Sequence, residues 1–495
     1  MTTPSTRKGL ILALCCMAQF MVVLDIAIVN VALPSIQSDL GLRESSLQWV
    51  VIAYGMLLGG FLLLGGRLGD LLGRRRIFIT GASIFGAASL LAGFANSASV
   101  LIGARGIQGF GAALLAPSAL AILGVTFAEG QERNKALGIF GAIGGSTASV
   151  GVIASGLLSD GPGWRWIFFI NVPVGILLTF FAWRFLPVDH IESGKRHYDF
   201  TGAATVTGSL LLLVYGLNRG VDHGWGSATT LALFATSALF FAAFVWVESQ
   251  ATSPLVPFAA LKNRTMVAAD LVGFTLFGSF FAFIFLVTLL MQQGLGYSPT
   301  RTGVAWLATS LTAFVAAGIV GARLATSIGV RKLLIAGPLL MVLSGAYLTQ
   351  VDAGATYTRD LLPAFLMAGF AIGLSAPSVQ IGALSGVASK SVGLASGLVE
   401  TMREIGGAVA IATVSTVLVS HTNDASRIVD PVARQSAIFD GFQSAFIVIV
   451  AMAALGAAVA SIAFPRLATV DVGEVSLQLD GEELALAEAV VPRWE

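Results

Sequence analysis

The sequence predicts an all-α integral membrane protein, built as two six-helix bundles with two further transmembrane helices inserted between them. Three observations support this fold class: the composition, the number of long apolar runs and an internal repeat. Of the 495 residues, 56% are hydrophobic and 11% are charged, and the mean hydropathy is +0.85. A chain so poor in charge needs a bilayer around its outer surface. Because backbone polar groups in hydrocarbon must be satisfied within the segment, the spans are expected to be helices.

Fourteen apolar runs are long enough to cross a bilayer, which takes about 20 residues in a helix. They are expected at 9–33, 46–66, 77–96, 99–126, 136–159, 165–186, 201–217, 228–247, 265–291, 301–322, 332–350, 360–385, 392–419 and 438–464. The first run is too long for the core of a signal peptide and has no small-residue cleavage site. It is therefore expected to remain as the first helix.

The placement of lysine and arginine tests this helix count, because cytoplasmic loops should hold the excess. With a cytoplasmic N-terminus, the inner loops and tails hold 19 of these residues and the outer loops hold 7. The other two, Arg105 and Arg403, lie inside predicted helices. The alternation predicts a multi-pass protein of the cell membrane, the inner membrane of a bacterium, with both termini in the cytoplasm.

An internal repeat relates the two ends of the chain. The segment GGRLGDLLGRRRIF at 65–78 returns 256 residues later as GARLATSIGVRKLL. A second pattern, Gly109-Phe110 followed by Ala116-Pro117-Ser118, returns at an offset of 260. Secondary transporters are commonly built from repeats, with a substrate site between two halves that rock against each other.

The repeat also predicts the domain boundaries, because it pairs helices two to four with helices ten to twelve and leaves two helices unmatched. We expect a first six-helix bundle at 1–186 and a linker with two inserted helices at 187–264. A second six-helix bundle is expected at 265–464, followed by an acidic cytoplasmic tail at 465–495.

Ionisable residues inside the predicted spans are candidate functional residues, because a charge at mid-membrane costs a few kcal/mol. Asp25 lies nine residues before Pro34, or roughly 13 Å below the outer end of the first helix. Arg105 lies roughly 9 Å below the same surface on the fourth helix. The depths allow a direct or water-bridged pair, which is predicted to couple proton binding to transport. A permanent structural salt bridge is the alternative.

The thirteenth predicted helix carries a second charged group. Glu400, Arg403 and Glu404 stand at i, i+3 and i+4, so they share one face of the helix. Two carboxylates and one arginine leave a net negative charge, which suits proton coupling at the glutamates or binding of an organic cation. Glu400, Arg403 and Glu404 are therefore candidates for substrate binding, with Arg403 restraining the charge of the glutamates. A self-neutralising structural cluster is the alternative. Tyr54 and Gln108 are further candidates for substrate binding.

Small residues on the fifth predicted helix are candidates for close helix packing, because glycine at such spacings lets helices approach and pivot. The candidates are Gly141, Gly145, Gly151 and Gly156. Adjacent Cys15 and Cys16 cannot form a structural disulfide with each other without strain and are expected to pack as small apolar residues. No metal site is expected.

At these residues the sequence resembles the major facilitator superfamily, and within it the fourteen-helix drug:proton antiporters, from about Leu24 to Phe464. The segment GRLGDLLGRRRIF at 66–78 resembles the family's loop motif GxLaDrxGrkxxl, with Leu71 where a basic residue is usual. The segments LDIAIVNVALPSI at 24–36 and WRWIFFINVPVG at 164–175 are similar to segments of that branch. A helix-four motif tied to proton transfer is matched by Arg105, Gln108, Gly109 and Gly111.

The resemblance implies a major facilitator fold and a conformational latch. In the family the loop aspartate pairs with basic residues and a helix N-terminus to hold the cytoplasmic side closed. The matching residues here are Gly66, Asp70, Gly73, Arg74 and Arg75. One departure lies on helix five, where GVIASG at 151–156 stands in place of the antiporter motif GPxxGG.

Together these features predict proton-coupled efflux of amphipathic drugs or secondary metabolites. No GxxxxGK[ST] loop for ATP is present, so the proton gradient is the expected energy source and no cofactor is expected. The expected partners are the substrate, protons and the bilayer, without nucleic acid, and the protein is expected to be a monomer. It is not expected to be an enzyme. A proton-coupled uptake symporter is the first alternative, because the altered helix-five motif is the one associated with export. A non-transporting sensor or scaffold is the second.

Overall fold

The computed structural model describes residues 4–42, 44–188, 199–251, 254–256, 260–425 and 430–464, and its regular structure there is helical. The helices of the first part are α1 (Pro4–Leu40), α2 (Glu44–Leu72), α3 (Arg74–Gly93), α4 (Ala98–Thr126), α5 (Gln131–Asp160), α6 (Trp166–Phe169) and α7 (Asn171–Phe185). Two helices follow, α8 (Phe200–His223) and α9 (Ala228–Gln250). The last part contains α10 (Arg264–Leu289), α11 (Pro299–Val315), α12 (Ala322–Ser327), α13 (Val330–Leu348), α14 (Leu362–Leu384), α15 (Val392–Ala425) and α16 (Pro431–Ile462).

Twelve helical segments within the described residues are long and apolar enough to cross a membrane. They coincide with twelve of the fourteen spans expected from the sequence. The other two spans, 136–159 and 301–322, fall on α5 and on α11 with α12. The all-α membrane fold is confirmed, and the count of fourteen crossings stays a prediction.

Several helices differ from the sequence-based expectation, among them the first and the tenth. The first continues to Leu40 and ends where Gly41 takes a φ of +60°, so Pro34 does not end it. The depth of Asp25 calculated from Pro34 is therefore wrong, because membrane helices tolerate proline when neighbouring groups satisfy the freed backbone. The tenth span is also not one regular helix, since a π-helical segment (Ala316–Gly321) separates α11 from α12.

The internal repeat has structural counterparts in both halves. Gly73 and Gly329 precede α3 and α13 with φ angles of +99° and +89°, a conformation that side chains rarely adopt. Arg75 donates a hydrogen bond to the carbonyl of Trp183 at the end of α7. Arg331 is the repeat mate of Arg75, meaning the residue at the equivalent position 256 residues later. It donates the same kind of hydrogen bond to the carbonyl of Ser461 near the end of α16, at 2.5 Å.

Helices α8 and α9 pack on each other, and α8 lies against both α2 and α15. Leu211 of α8 fills the space beside Gly60 of α2. Trp225 Nε1, in the turn after α8, donates to Thr416 Oγ1 of α15 at 2.8 Å. This pair of helices therefore covers the seam where α2 meets α15. The predicted boundaries of the linker stay a prediction, and the predicted tail at 465–495 lies outside the described residues.

The two halves meet closely at the end of the molecule where α2 gives way to α3. We call this end the basic side, because it carries Arg74, Arg75 and Arg76. A Cβ on Gly66 of α2 would collide with the carbonyl oxygen of Gly393 in the other half. Only glycine allows this approach, so the structure is closed on the basic side.

Candidate functional site

Asp25 is at the centre of a buried polar network in the first half. Its side chain is 0% exposed and that of Arg105 is 1% exposed. Nη1 of Arg105 donates to Oδ2 of Asp25 in an ion pair. Gln108 Nε2 donates to Oδ1 of Asp25 at 2.7 Å, and Asn171 Nδ2 donates to the same oxygen at 3.1 Å. The carboxylate thus accepts three hydrogen bonds from α4 and α7, as expected for a buried charge that is stable without water.

Arg105 is held in place by further contacts on its other sides. Nη1 also donates to Gln108 Oε1 at 2.7 Å, and Nε donates to the backbone carbonyl of Val50 at 3.0 Å. The guanidinium carbon lies 4.2 Å from the ring centroid of Tyr54, within range of a cation–π interaction. The network therefore joins α1, α2, α4 and α7 in one cluster.

Sequence reasoning paired Asp25 with Arg105 and placed Gln108 only in the helix-four motif and among the substrate ligands, and it missed two members of this network. Asn171 is one, although it stands in the segment 164–175 that resembles the antiporter branch. Ser89 is the other: its hydroxyl accepts from Gln108 Nε2 at 2.9 Å and donates to the carbonyl of Phe85 at 2.8 Å. An asparagine inside the predicted sixth span was an available signal. Nothing in the sequence around Ser89 marks it.

The second half holds the other predicted cluster, on α15. Arg403 Nη1 lies 2.5 Å from Oε2 of Glu400, and Nη2 donates to Oε1 of Glu404 at 2.9 Å. The side chain of Glu400 is 2% exposed, whereas that of Glu404 is 19% exposed. The Arg403 guanidinium also lies 5.7 Å from the ring centroid of Phe277 on α10. Both glutamates therefore share one arginine, as their spacing predicted.

Tyr54 lies between these two clusters. Its side chain is buried, and its hydroxyl donates to the carbonyl of Val22 at 3.4 Å. The phenol interacts electrostatically with Asp25 and Arg105 and also with Glu404 and Arg403 of the other half. Tyr54 and Gln108, predicted as substrate ligands, thus both contact the Asp25 network in this state. Their contact with substrate stays a prediction.

The predicted latch residues lie at the closed seam. Asp70 accepts hydrogen bonds from the backbone N–H groups of Gly393 at 2.9 Å and Leu394 at 2.8 Å, at the N-terminus of α15. Arg74 donates to Asp70 Oδ1 at 2.9 Å and also to the carbonyl of Ser389. A carboxylate at a helix N-terminus is favoured by the helix dipole and by the unsatisfied amides there. Arg75, also predicted for the latch, donates to the carbonyl of Trp183 at the end of α7.

The repeat mate of Asp70 is Thr326, and it faces the equivalent seam without a charge. Asn134 Nδ2, on α5, donates to Thr326 Oγ1 at 3.3 Å. At one seam a carboxylate accepts from two backbone amides, whereas the described Asn134–Thr326 bond at the other seam joins two neutral side chains.

The glycines predicted for helix packing fall at two kinds of contact. A Cβ on Gly141 would lie 3.0 Å from Cγ of Pro377, across the interface between halves. A Cβ on Gly151 would lie 2.6 Å from Cβ of Ala27 on α1. The surroundings of Gly145 and Gly156 lie outside the described part of the structure.

Ion pairs also form near the ends of the membrane-spanning segments. At the C-terminal end of α1, Asp39 accepts from Arg165 Nη1 at 2.6 Å and from Trp164 Nε1 at 3.1 Å. These hydrogen bonds hold the pKa of Asp39 below its usual value. On the basic side, Lys8 donates to Glu132 at 2.7 Å, and this bond lowers the pKa of Glu132.

The fold and these clusters define a multi-pass helical membrane protein whose two halves meet around buried charges. The chain belongs to the Major Facilitator Superfamily, whose family model matches residues 15–411. This assignment agrees with the resemblance seen in the sequence motifs.

Proteins similar to this chain include several with named functions. The puromycin resistance protein pur8 of Streptomyces alboniger is 38% identical over 454 residues, covering 91% of this chain and 89% of the relative. The cephamycin export protein CmcT of Amycolatopsis lactamdurans is 35% identical over 424 residues, covering 85% and 87%. Among solved structures, the proton:xylose symporter XylE superposes with a TM-score of 0.64 at 14% identity, covering 94% of this chain and 97% of that one. At that identity the likeness supports the fold alone.

Proposed function

We propose that this protein exports amphipathic drugs or secondary metabolites across the cytoplasmic membrane in exchange for protons. Support for export comes from relatives whose names state drug resistance or export, including pur8 and CmcT, which match most of this chain. The multidrug transporter protein MdtP of Bacillus subtilis, 32% identical over 416 residues, adds to this support. The basic side is taken as cytoplasmic, because lysine and arginine concentrate there.

The observation that carries proton coupling is the fully buried Asp25 carboxylate, whose three donors come from two other helices. A proton on Oδ2 would turn an acceptor into a donor, so Nη1 of Arg105 would lose its counterion. The guanidinium would then keep only Gln108 Oε1 and the Val50 carbonyl as hydrogen-bond acceptors. A buried arginine without its counterion is unstable, so protonation favours a rearrangement of α1 against α2 and α4.

Tyr54 offers a route from this centre to the second half. The Arg105 guanidinium lies 4.2 Å from its ring centroid, and its phenol also lies within electrostatic range of Arg403 and Glu404. A displacement of Arg105 would therefore change the electrostatic environment of the α15 cluster. The coupling is a biased equilibrium between two packing states, which needs only that each ligand prefer one of them.

The α15 cluster is proposed as the anchor for the charged part of the substrate. Arg403 can neutralise one carboxylate, so the cluster keeps one negative charge in excess. Glu404 is the more exposed carboxylate and would meet a cationic ligand first. Phe277 beside Arg403 adds an aromatic face that suits amphipathic molecules.

The altered helix-five motif favours one rival function, proton-coupled uptake of a metabolite. Transport in inverted membrane vesicles separates the two by its sign. With an acid interior, an exporter accumulates substrate inside the vesicle, whereas a symporter drives it out. Puromycin is the first probe to use, because a relative's name identifies it.

The test of the coupling centre is Asp25→Asn, with Asp39→Asn as the matched control for loss of an aspartate on the same helix. Asp25→Asn should abolish gradient-driven accumulation while ligand-induced thermal stabilisation is retained. Asp39→Asn should transport at nearly the wild-type rate. Uphill transport by Asp25→Asn at the wild-type rate would exclude Asp25 as the coupling residue. Loss of both transport and binding would indicate a structural role.

A further inference from the structure

Asp270 is a buried carboxylate that belongs to neither of the two charged clusters. It stands on α10, six residues after Arg264, or roughly 9 Å from the end of the helix on the basic side. It is 3% exposed, and both of its carboxylate oxygens are buried. Neither oxygen has a hydrogen-bond partner among the residues that the structure describes. Asp25 and Glu400, in contrast, each lie in an ion pair with an arginine.

The helices around Asp270 supply no charge that compensates its burial. α10 packs against α13, α14, α15 and α16, and a Cβ on Gly382 of α14 would lie 2.9 Å from Cβ of Ala269, the residue beside Asp270. α14 carries no titratable residue. Those with described side chains on the other three helices, on α10 itself and in the turn before it are Lys262, Arg264, Arg331, Lys332, Tyr347, Glu400, Arg403, Glu404, His421, Arg434 and Asp440. None of them offsets the burial of the carboxylate electrostatically.

Asp270 shares a face of α10 with Phe277. It stands seven residues before Phe277, close to two helical turns, and so lies roughly 10 Å nearer to the basic side. The ring centroid of Phe277 lies 5.7 Å from the Arg403 guanidinium. Asp270 is therefore placed between the α15 cluster and the end of the protein where the two halves close.

The internal repeat gives no structural reason for a carboxylate at this position. Its offsets of 256 and 260 place the counterpart of Asp270 within residues 10–14, where the sequence reads LILAL. The equivalent part of the first helix is therefore apolar. Since an apolar side chain satisfies the fold there, packing alone does not require the carboxylate of Asp270.

The closed structure accommodates Asp270 best without its charge. An ionised carboxylate that is buried without a partner costs several kcal/mol, and such a group takes up a proton instead. Separation of α2 from α15 on the basic side would admit water towards Asp270. A hydrated carboxylate is ionised at neutral pH, so the proton would then be lost.

We propose that Asp270 is a proton-binding site, with its proton bound while the basic side is closed and released when that side opens. Release breaks the carboxyl O–H bond and passes the proton to water, and binding is the reverse step. The site is separate from Asp25, whose carboxylate is ionised beside Arg105 in the same state. The inference rests on the two-state cycle of the proposed function, but its tests measure protonation and closure instead of transport. Either proposal can therefore fail without the other.

Infrared spectroscopy of the purified full chain in lipid vesicles tests the bound proton directly. A protonated carboxyl group has a C=O stretch that an ionised carboxylate lacks. At neutral pH, Asp270→Asn should lose part of this band. Asp39→Asn is the matched control and should leave the band unchanged, because it removes a half-exposed carboxylate that is paired with Arg165. Equal bands in the wild type and Asp270→Asn would show that Asp270 is ionised and would overturn the proposal.

The distance between spin labels at exposed positions 135 and 264, on the basic side of the two halves, tests the link to closure. In the wild type the ratio of closed to open molecules should fall as pH rises, by at most about tenfold per pH unit for one proton. Asp270→Asn and Asp270→Leu cannot ionise, so they should reduce this slope and remain closed at higher pH. Asp39→Asn should keep the wild-type slope.

Three results would overturn the proposal. One is a wild type whose closure does not depend on pH. Another is a wild-type slope in both Asp270 variants. The third is loss of folded protein in both variants, measured by thermal unfolding, because the carboxylate would then be needed for structure.

Discussion

Replacing Asp70 by alanine should open the basic side of the protein. The Asp70 side chain is 1% exposed and accepts backbone hydrogen bonds from Gly393 and Leu394 across the seam, at 2.9 and 2.8 Å. Alanine retains the helical backbone of α2 but removes both bonds between the halves. It also removes the Asp70 carboxylate from Arg74 and leaves two amides at the N-terminus of α15 without this acceptor.

The expected size of this effect follows from the two lost bonds. A hydrogen bond to a charged group contributes roughly 1.5 to 3 kcal/mol. The lower value applies, because water can reach the freed amides once the seam opens, and two bonds then amount to roughly 3 kcal/mol. Since about 1.4 kcal/mol is a tenfold change, the ratio of closed to open molecules should fall roughly 100-fold.

Distances between spin labels at exposed positions 135 and 264 measure this ratio, because these positions lie on the basic side in different halves. The labels are introduced on a background in which the buried Cys15 and Cys16 are replaced by alanine. Asp70→Ala should shift the distance distribution to longer values and change turnover more than substrate affinity. Asp70→Asn keeps one acceptor oxygen and should have an intermediate effect.

Thr326→Val is the matched control, because it removes the neutral 3.3 Å bond at the equivalent seam. Loss of this neutral hydrogen bond contributes roughly 0.5 to 1.5 kcal/mol, so Thr326→Val should shift the distances less than Asp70→Ala does. An unchanged distance distribution in Asp70→Ala would refute the latch. So would equal shifts in the two variants, or a pure loss of affinity with unchanged turnover.

Two further outcomes are expected. Replacing Glu400 and Glu404 together by glutamine removes the negative charge that Arg403 does not neutralise. Resistance to cationic compounds should then weaken roughly tenfold in a susceptibility assay, equivalent to about 1.4 kcal/mol. Neutral compounds should be spared, and equal loss for both classes would show that the pair serves coupling or packing instead. The hydrogen bond from Arg165 lowers the pKa of Asp39. Their contact therefore stabilises the protein fully at pH values above the ordinary carboxyl pKa of about 4. This stabilisation is lost as the pH falls through the lowered pKa of Asp39. Asp39→Asn should therefore lower the melting temperature at pH 7, and this difference should shrink in acid; a difference independent of pH would contradict the ion pair.

Several features of this protein were determined by the sequence alone, because they depend on local chemistry. Apolar length indicated where helices cross the membrane, and the placement of lysine and arginine predicted the sidedness. The cost of a charge in hydrocarbon was enough to single out Asp25, Arg105 and Glu400, since each needs a partner wherever it lies. The Asp25–Arg105 pair was predicted although the end of α1 was misplaced, because a buried carboxylate and a buried arginine at similar depth have few other partners.

Other features were decided only by the tertiary structure. These features depend on how each helix is rotated about its axis. They include the hydrogen bond from Asn171 to Asp25 and the bond from Arg105 to the Val50 carbonyl. The position of Tyr54 between the clusters and the insertion of α8 beside the α2–α15 seam depend on it as well. A helix that is apolar on every face carries no polar stripe to mark its inward side. Rotation is then set by side-chain packing, as where Gly66 meets Gly393, and by residues that are distant in sequence.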